Sequence, residues 1–333
     1  MTVMNALRRS PLRSRRLIRS TAALGALGLG AVALTACGGD AGGGDDGKVK
    51  VVASFYPMEF LAEEIGGEHV DVQGLTKPGV EPHDLELSPQ QTGELSEADL
   101  AVYLKGLQPA VDQAVKQSEV KNVAEATSYT SLEKHGTDVH GEEGHEGEEH
   151  AGHGHEGHDH AGEDPHLWLD PVRYAQVAEG VGKELAKADP KHKADYEKNT
   201  EKLVERLEGL DKKFEDGLAK KKTDTFITTH AAFGYLAERY GLHEEAISGL
   251  DPEAEPSPAR MKALHKVAKS DQVDTVFFED NASDKTASTL AKDLRLKTGV
   301  LSPLESVKDP AKQDYFSEME KNLQALQDAL GAR

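Results

Sequence analysis

Strand-like and helical runs alternate along most of this chain, but between Pro171 and about Lys222 the strand signal disappears. That interruption constrains the fold more than any other feature. Before it, Lys48–Phe55, Val70–Leu75, Leu100–Leu104 and Lys121–Glu125 read as strands, separated by helical runs at Glu59–Ile65, from Ser88-Pro89 onward and at Pro109–Gln117. After it, Thr225–Thr229, Glu244–Ser248, Val273–Phe278 and Gly299–Leu301 read as strands. The helices between them are Gly234–Tyr240, Ser257–Ser270 and Ser283–Leu294, and Asp309–Leu330 closes the chain. Strands spaced by helices imply βα units and parallel sheets. Serine followed by proline at 88–89 and at 257–258 supplies an N-cap and a first helical residue. Inside the strand-free stretch, Pro190 marks a break. From Lys191 to Lys222, Tyr196, Leu203, Leu207, Leu210 and Phe214 recur mainly every three, four and seven residues, which is one apolar stripe on a long helix. The layout is an α/β lobe, a long rigid helix and a second α/β lobe. The expected divisions are 48–171 for the N-terminal lobe, 172–222 for the linking helices and 223–333 for the C-terminal lobe.

The first 36 residues stand outside this pattern. Six arginines and no acid precede an apolar stretch from Thr21 to Thr35, too short and too rich in Gly and Ala to cross a membrane stably. A basic region followed by a short apolar one describes an export signal. It ends in Leu34-Thr35-Ala36-Cys37, with the only cysteine of the chain placed where a lipobox has its lipidated residue. The pair Arg15-Arg16 leaves the choice between general and twin-arginine export open. Residues 37–47 read as a flexible Gly/Asp tether. The expectation is an extracytoplasmic protein held to the cell membrane by a lipid on Cys37. A single cysteine excludes a disulfide framework, a thiolate zinc finger and an iron–sulfur site. A formal net charge of −20 argues against a nucleic-acid partner, because such a chain repels phosphate.

Residues 135–163 form a second exception, a low-complexity His/Glu/Gly run holding eight of the fifteen histidines. It cannot bury enough apolar surface to fold on its own and reads as a disordered insertion in the N-terminal lobe. His140, His145, His150, His153, His155, His158 and His160 make it a multi-site chelator, with His153-Gly-His155 and His158-Asp-His160 as the tightest pairs. The ordering cost keeps such sites weaker than a preformed one. A solvated spacer with no metal role is the alternative.

Three short segments concentrate chemistry: Pro78-Gly79-Val80-Glu81-Pro82-His83-Asp84, Asp164-Pro165-His166-Leu167-Trp168-Leu169-Asp170-Pro171, and Thr228-Thr229-His230-Ala231-Ala232-Phe233-Gly234. His83 and His230 fall just past strand ends, where open α/β sheets bind ligands. Three histidines on stiff loops can converge on zinc, copper, iron or nickel, and zinc takes four ligands in a tetrahedron. Glu279, Asp280 and Glu305 are the acidic candidates for the fourth place. Each histidine alone also has a plain structural reading: a turn residue at 83, a neighbour of Trp168 at 166, a strand-end hydrogen-bonder at 230.

Taken together, these segments, the Phe277-Phe278-Glu279 strand and Leu301-Ser302-Pro303-Leu304-Glu305 resemble the metal-binding cluster of ABC-transporter solute-binding lipoproteins, in particular its zinc-specific branch, over essentially all of 48–333. The resemblance implies two α/β lobes with a metal site in the cleft between them. His83 and His166 would come from the first lobe, His230 from the second, and Glu305 would stand at the family's variable acidic position. It also implies Zn2+ as the ion, delivery to an ABC permease and its ATPase, a monomer, and no enzymatic activity. The manganese branch usually carries a carboxylate where His230 stands, and three nitrogens suit zinc better than manganese. A manganese or iron receptor of the same fold, a secreted zinc metalloenzyme and a surface metal store built on the histidine run are the competing readings. No H-E-x-x-H helix supports the enzyme. With histidines at their ordinary pKa, metal affinity is expected to fall as pH drops through about 6.5.

Overall fold

The computed structural model describes residues 47–135, 163–279 and 285–332. The signal segment, Cys37, the tether except Gly47, the histidines from His140 to His160 and Asp280 therefore lie outside the described residues. Among the described residues no helix is long and apolar enough to cross a membrane.

Two four-stranded sheets, each entirely parallel, carry the fold. In the first, β1 (Val49–Ala53), β2 (Val70–Gly74), β3 (Leu100–Tyr103) and β4 (Asn122–Glu125) lie in the order β2-β1-β3-β4. In the second, β5 (Thr225–Thr228), β6 (His243–Ala246), β7 (Thr275–Phe278) and β8 (Lys297–Val300) repeat the same order as β6-β5-β7-β8. The inner strand β5 is buried along its whole length, as suits a parallel strand covered on both faces. Helices α1 (Tyr56–Gly66), α2 (Pro89–Glu97) and α3 (Pro109–Gln117) serve the first sheet; α6 (Gly234–Arg239), α7 (Pro258–Ser270) and α8 (Lys285–Leu294) serve the second.

Between the sheets run α4 (Pro171–Ala188) and α5 (Lys193–Leu218). Asp170 caps α4 by accepting the backbone N–H of Val172 at 2.9 Å, with Pro171 as first helical residue. The expected long helix is α5; it starts at Lys193 because Pro190–His192 forms a separate 3-10 turn, whose cap Asp189 accepts from Lys191 N–H. At ~1.5 Å per residue α5 is about 39 Å long. Tyr196, Leu203, Leu207, Leu210, Phe214 and Leu218 form its buried stripe. Each buried leucine contributes roughly 1.5–3 kcal/mol over exposure. Close helix approach uses glycine: a Cβ on Gly180 would stand 2.3–2.4 Å from ring atoms of Tyr129, and one on Gly182 2.2 Å from Thr200 Oγ1.

The closing helix departs from expectation. Asp309-Pro310 makes only a turn, with Asp309 O accepting from Lys312 N–H at 2.9 Å, and the helix α9 (Tyr315–Ala329) begins five residues later. The reason is local: Asp314 and Ser317 complete a reciprocal capping box, while the Gln313 side chain occupies the N–H groups of Lys308 and Asp309. From there α9 returns to the first lobe. Tyr315 stacks on Phe60 and donates to Trp168 O at 2.7 Å, and the Trp168 indole donates to Pro303 O at 2.7 Å. One continuous apolar core accordingly runs from the first sheet through α4 and α5 to α9, with smaller cores beneath β5–β7 and beneath α2–α3.

Candidate metal centre

Four segments converge, three of them past the carboxyl ends of strands, where open α/β sheets bind ligands. His83 follows β2. Gly79 takes a left-handed φ of 73° in its loop, and both oxygens of Glu81 accept the His83 backbone N–H, at 2.9 and 3.0 Å. The buried Gln108 amide donates to Thr76 Oγ1 and Pro82 O, fastening the loop to the lobe. His166 opens the 3-10 turn Leu167–Leu169. Asp164 Oδ1 accepts both its backbone N–H (2.9 Å) and its Nδ1–H (2.7 Å). His230 ends β5's loop, where Glu279 Oε1, just past β7, accepts from His230 Nδ1 at 2.6 Å and from the Thr229 hydroxyl at 2.6 Å. Glu305 follows β8. Leu304 before it holds φ at 54°, a strained value for a branched side chain that costs about 1–3 kcal/mol. Hydrogen bonds between Ser302 and Asn322 brace that turn.

The result is a ring of three imidazoles around one carboxylate oxygen. Glu305 Oε1 lies 3.1 Å from His83 Nε2, 3.1 Å from His166 Nε2 and 3.3 Å from His230 Nε2. Ligand atoms of a tetrahedral zinc, at roughly 2.0–2.1 Å from the ion, stand ~3.3 Å from one another. His166, His230 and Glu305 have side chains with no solvent exposure, and His83 retains 15%. Two atoms in the ring, His230 Nε2 and Glu305 Oε2, are buried without a well-aligned hydrogen-bond partner. Such atoms are costly unless something else satisfies them. Carboxylates hold the Nδ1–H of His166 and His230 and so turn both Nε2 atoms to the centre, the usual arrangement behind metal-bound imidazole.

Electrostatics follow from this packing. Burial opposes charge on His166, but hydrogen bonds and charge from Asp164 and Glu305 outweigh it and raise its pKa to about 9. His230 is likewise raised well above the ordinary value, burial being overcome by Glu279 and Glu305. Burial also works against an ionised Glu305, yet hydrogen bonds from His166, His230 and His83 hold its carboxyl well below the usual range. The expectation of histidines titrating at 6.5 is therefore corrected: buried carboxylates move His166 upward.

All four residues singled out by sequence thus meet. Glu279, weighed there as a ligand, stands behind His230 and faces its Nδ1 instead. Trp168 packs 5.2 Å from the His166 ring, as expected. Asp164 supports His166, and its place two residues before that histidine is the only sign of this in the sequence. Glu244 was missed. It lies within 2.8 Å of the Thr228 hydroxyl and accepts the Phe233 N–H, and burial pushes its carboxyl up to about 7. At the foot of the histidine run, His135 is held by Asp164 and Glu238.

With this geometry in place, comparison with known proteins adds the following. A model of the periplasmic component A of the zinc-uptake complex (ZnuA) matches residues 51–329. The zinc-binding lipoprotein AdcA of Streptococcus pneumoniae serotype 4 is 38% identical over 288 residues, covering 84% of this chain and 56% of that protein. The chain therefore spans about half the length of that relative. The high-affinity zinc uptake system protein ZnuA of Bacillus subtilis is 37% identical over 291 residues, covering 85% of this chain and 88% of that one. The crystal structure of the Zn(II)-bound ZnuA-like domain of S. pneumoniae AdcA superposes with a TM-score of 0.68 at 35% identity, covering 85% of this chain and 99% of that domain.

Proposed function

The chain belongs to the ZnuA family of zinc-uptake components, and from that premise we propose that it is the extracytoplasmic receptor of a zinc ABC importer. It takes Zn2+ between its lobes and hands the ion to a permease driven by an ATPase. The observation that carries this reading is the approach of three imidazole Nε2 atoms to Glu305 Oε1 at 3.1–3.3 Å. His83, His166, His230 and Glu305 are the ligands. Three nitrogens and one carboxylate suit zinc better than manganese. A fourth protein ligand in a buried site leaves no open position for an activated water, which separates a carrier from a zinc hydrolase. Binding with release, and no covalent chemistry, is the proposed activity. Cys37 is the proposed lipidation site and anchors a monomer to the outer membrane face; the name of the S. pneumoniae relative, a lipoprotein, supports this. Replacing Cys37 by Ser should release the protein into the medium. The decisive test is a titration of chelator-stripped protein with zinc and manganese in competition. One tight zinc that resists manganese and disappears in His166→Ala is the expected result; weak binding at several sites, indifferent to that substitution, would refute the receptor.

A further inference from the structure

Outside the central ring, a second set of metal-capable side chains gathers on the surface: Glu133, His135 and Glu238, with one ligand atom from each within 4.8 Å of the others. The set joins two parts of the fold. Glu133 and His135 lie on the segment that follows the first sheet, paired to Asp164 by a bridge, whereas Glu238 lies on α6 beside the second sheet. His135 is built into place. Its Nδ1 faces Asp164 Oδ2 at 2.9 Å, its ring meets Tyr235 edge-on at 4.5 Å, and its Nε2 points to Glu238 Oε2 at 3.1 Å. Gly234 makes the room, since a Cβ there would stand 2.4 Å from His135 Cβ. The Tyr235 hydroxyl accepts the Glu133 N–H and donates to Asp164 O, at 2.8 Å each. Arg173 pairs with Glu133 Oε1.

Asp164 therefore serves two imidazoles with its two oxygens: His166 through Oδ1 and His135 through Oδ2. Both rings are fixed with Nδ1 toward the carboxylate and Nε2 turned away, the orientation that presents a lone pair to a metal. For His166 that Nε2 faces the central ring; for His135 it faces Glu238. We propose that Glu133, His135 and Glu238 form a second zinc site, weaker and open to water, which clips α6 to the segment after the first sheet and shares Asp164 with the central site. One nitrogen and two carboxylates leave at least one coordination place to solvent, so the ion exchanges readily. The site goes beyond the receptor reading and stands or falls separately from it.

The test uses the full chain with all seven histidines between positions 140 and 160 replaced by Asn, which removes their competing zinc binding. Equilibrium dialysis with zinc alone should find two ions per chain, one tight and one weak. Glu238→Gln, at an exposed position where folding is not at risk, should weaken the second ion at least tenfold and spare the first; His135→Asn should abolish the second. A single ion in the parent protein, or a second ion unmoved by both substitutions, would overturn the proposal. So would loss of both ions in His135→Asn with no effect of Glu238→Gln, which would make His135 only a positioning residue for the central site. A central site that failed while the Glu238-dependent ion persisted would count against the receptor and not against this site.

Discussion

His166 is where local chemistry decides behaviour. With its pKa raised to about 9, its imidazole in the zinc-free protein at pH 7 carries both protons, donating one to Asp164 and one to Glu305. Zinc must displace the Nε2 proton. A raised pKa in the free form means stronger proton competition at lower pH, so zinc affinity should climb as pH rises from 6 toward about 9. Titration calorimetry in buffers of different ionisation enthalpy should register net proton release at pH 7. A second expectation concerns the carboxylates behind the ring. Asp164→Asn or Glu279→Gln should lower zinc affinity about 10–100-fold with little loss of fold, measured by chelator competition. Replacing His230 by Glu should shift preference toward manganese in the same assay. The three histidines stand out in the sequence because each sits in a short loop punctuated by Pro or Gly, whereas Glu305 is one of three acidic candidates until the family resemblance singles it out. The supporting carboxylates do not stand out, since Glu279 reaches His230 only through the pairing of β5 with β7, and that register is a tertiary fact.

At the scale of elements, helix starts were readable wherever a serine or aspartate precedes proline and no better cap lies nearby. Ser88 and Ser257 cap as expected, accepting from Gln91 and Arg260 N–H. Asp309 fails because Asp314 offers a reciprocal cap five residues on. Strand bounds at β6 and β8 move by one or two residues because register with β5 and β7, not local composition, sets them. The contact between α4 and the residues after β4 gives a sharp stability test. Gly180→Ala gains about 1 kcal/mol of helix propensity but drives a methyl into the Tyr129 ring, and overpacking of this kind costs roughly 1–3 kcal/mol. The melting temperature should fall, and Tyr129→Ala in the same background should recover part of the loss.

Across the whole molecule, the alternating pattern and its interruption were enough to expect two parallel sheets and a long helix between them. The return of α9 to the first lobe was not legible, because the contacts of Tyr315 with Phe60 and Trp168 span well over a hundred residues. That return ties the only tryptophan to the strand-end segment carrying Glu305, through Pro303. Zinc addition should therefore change Trp168 emission and raise the melting temperature together, by an amount that grows with free zinc as RT ln(1 + [L]/Kd). An unchanged emission would place the ion elsewhere. The unequal exposure of the four central side chains carries a kinetic consequence. Three are sealed and only His83 reaches solvent. If these four side chains hold the ion as proposed, its traffic would be one-sided: the cargo would arrive and depart past the loop from Pro78 to Asp84, and a receiving partner would have to loosen that loop before touching the remaining donors.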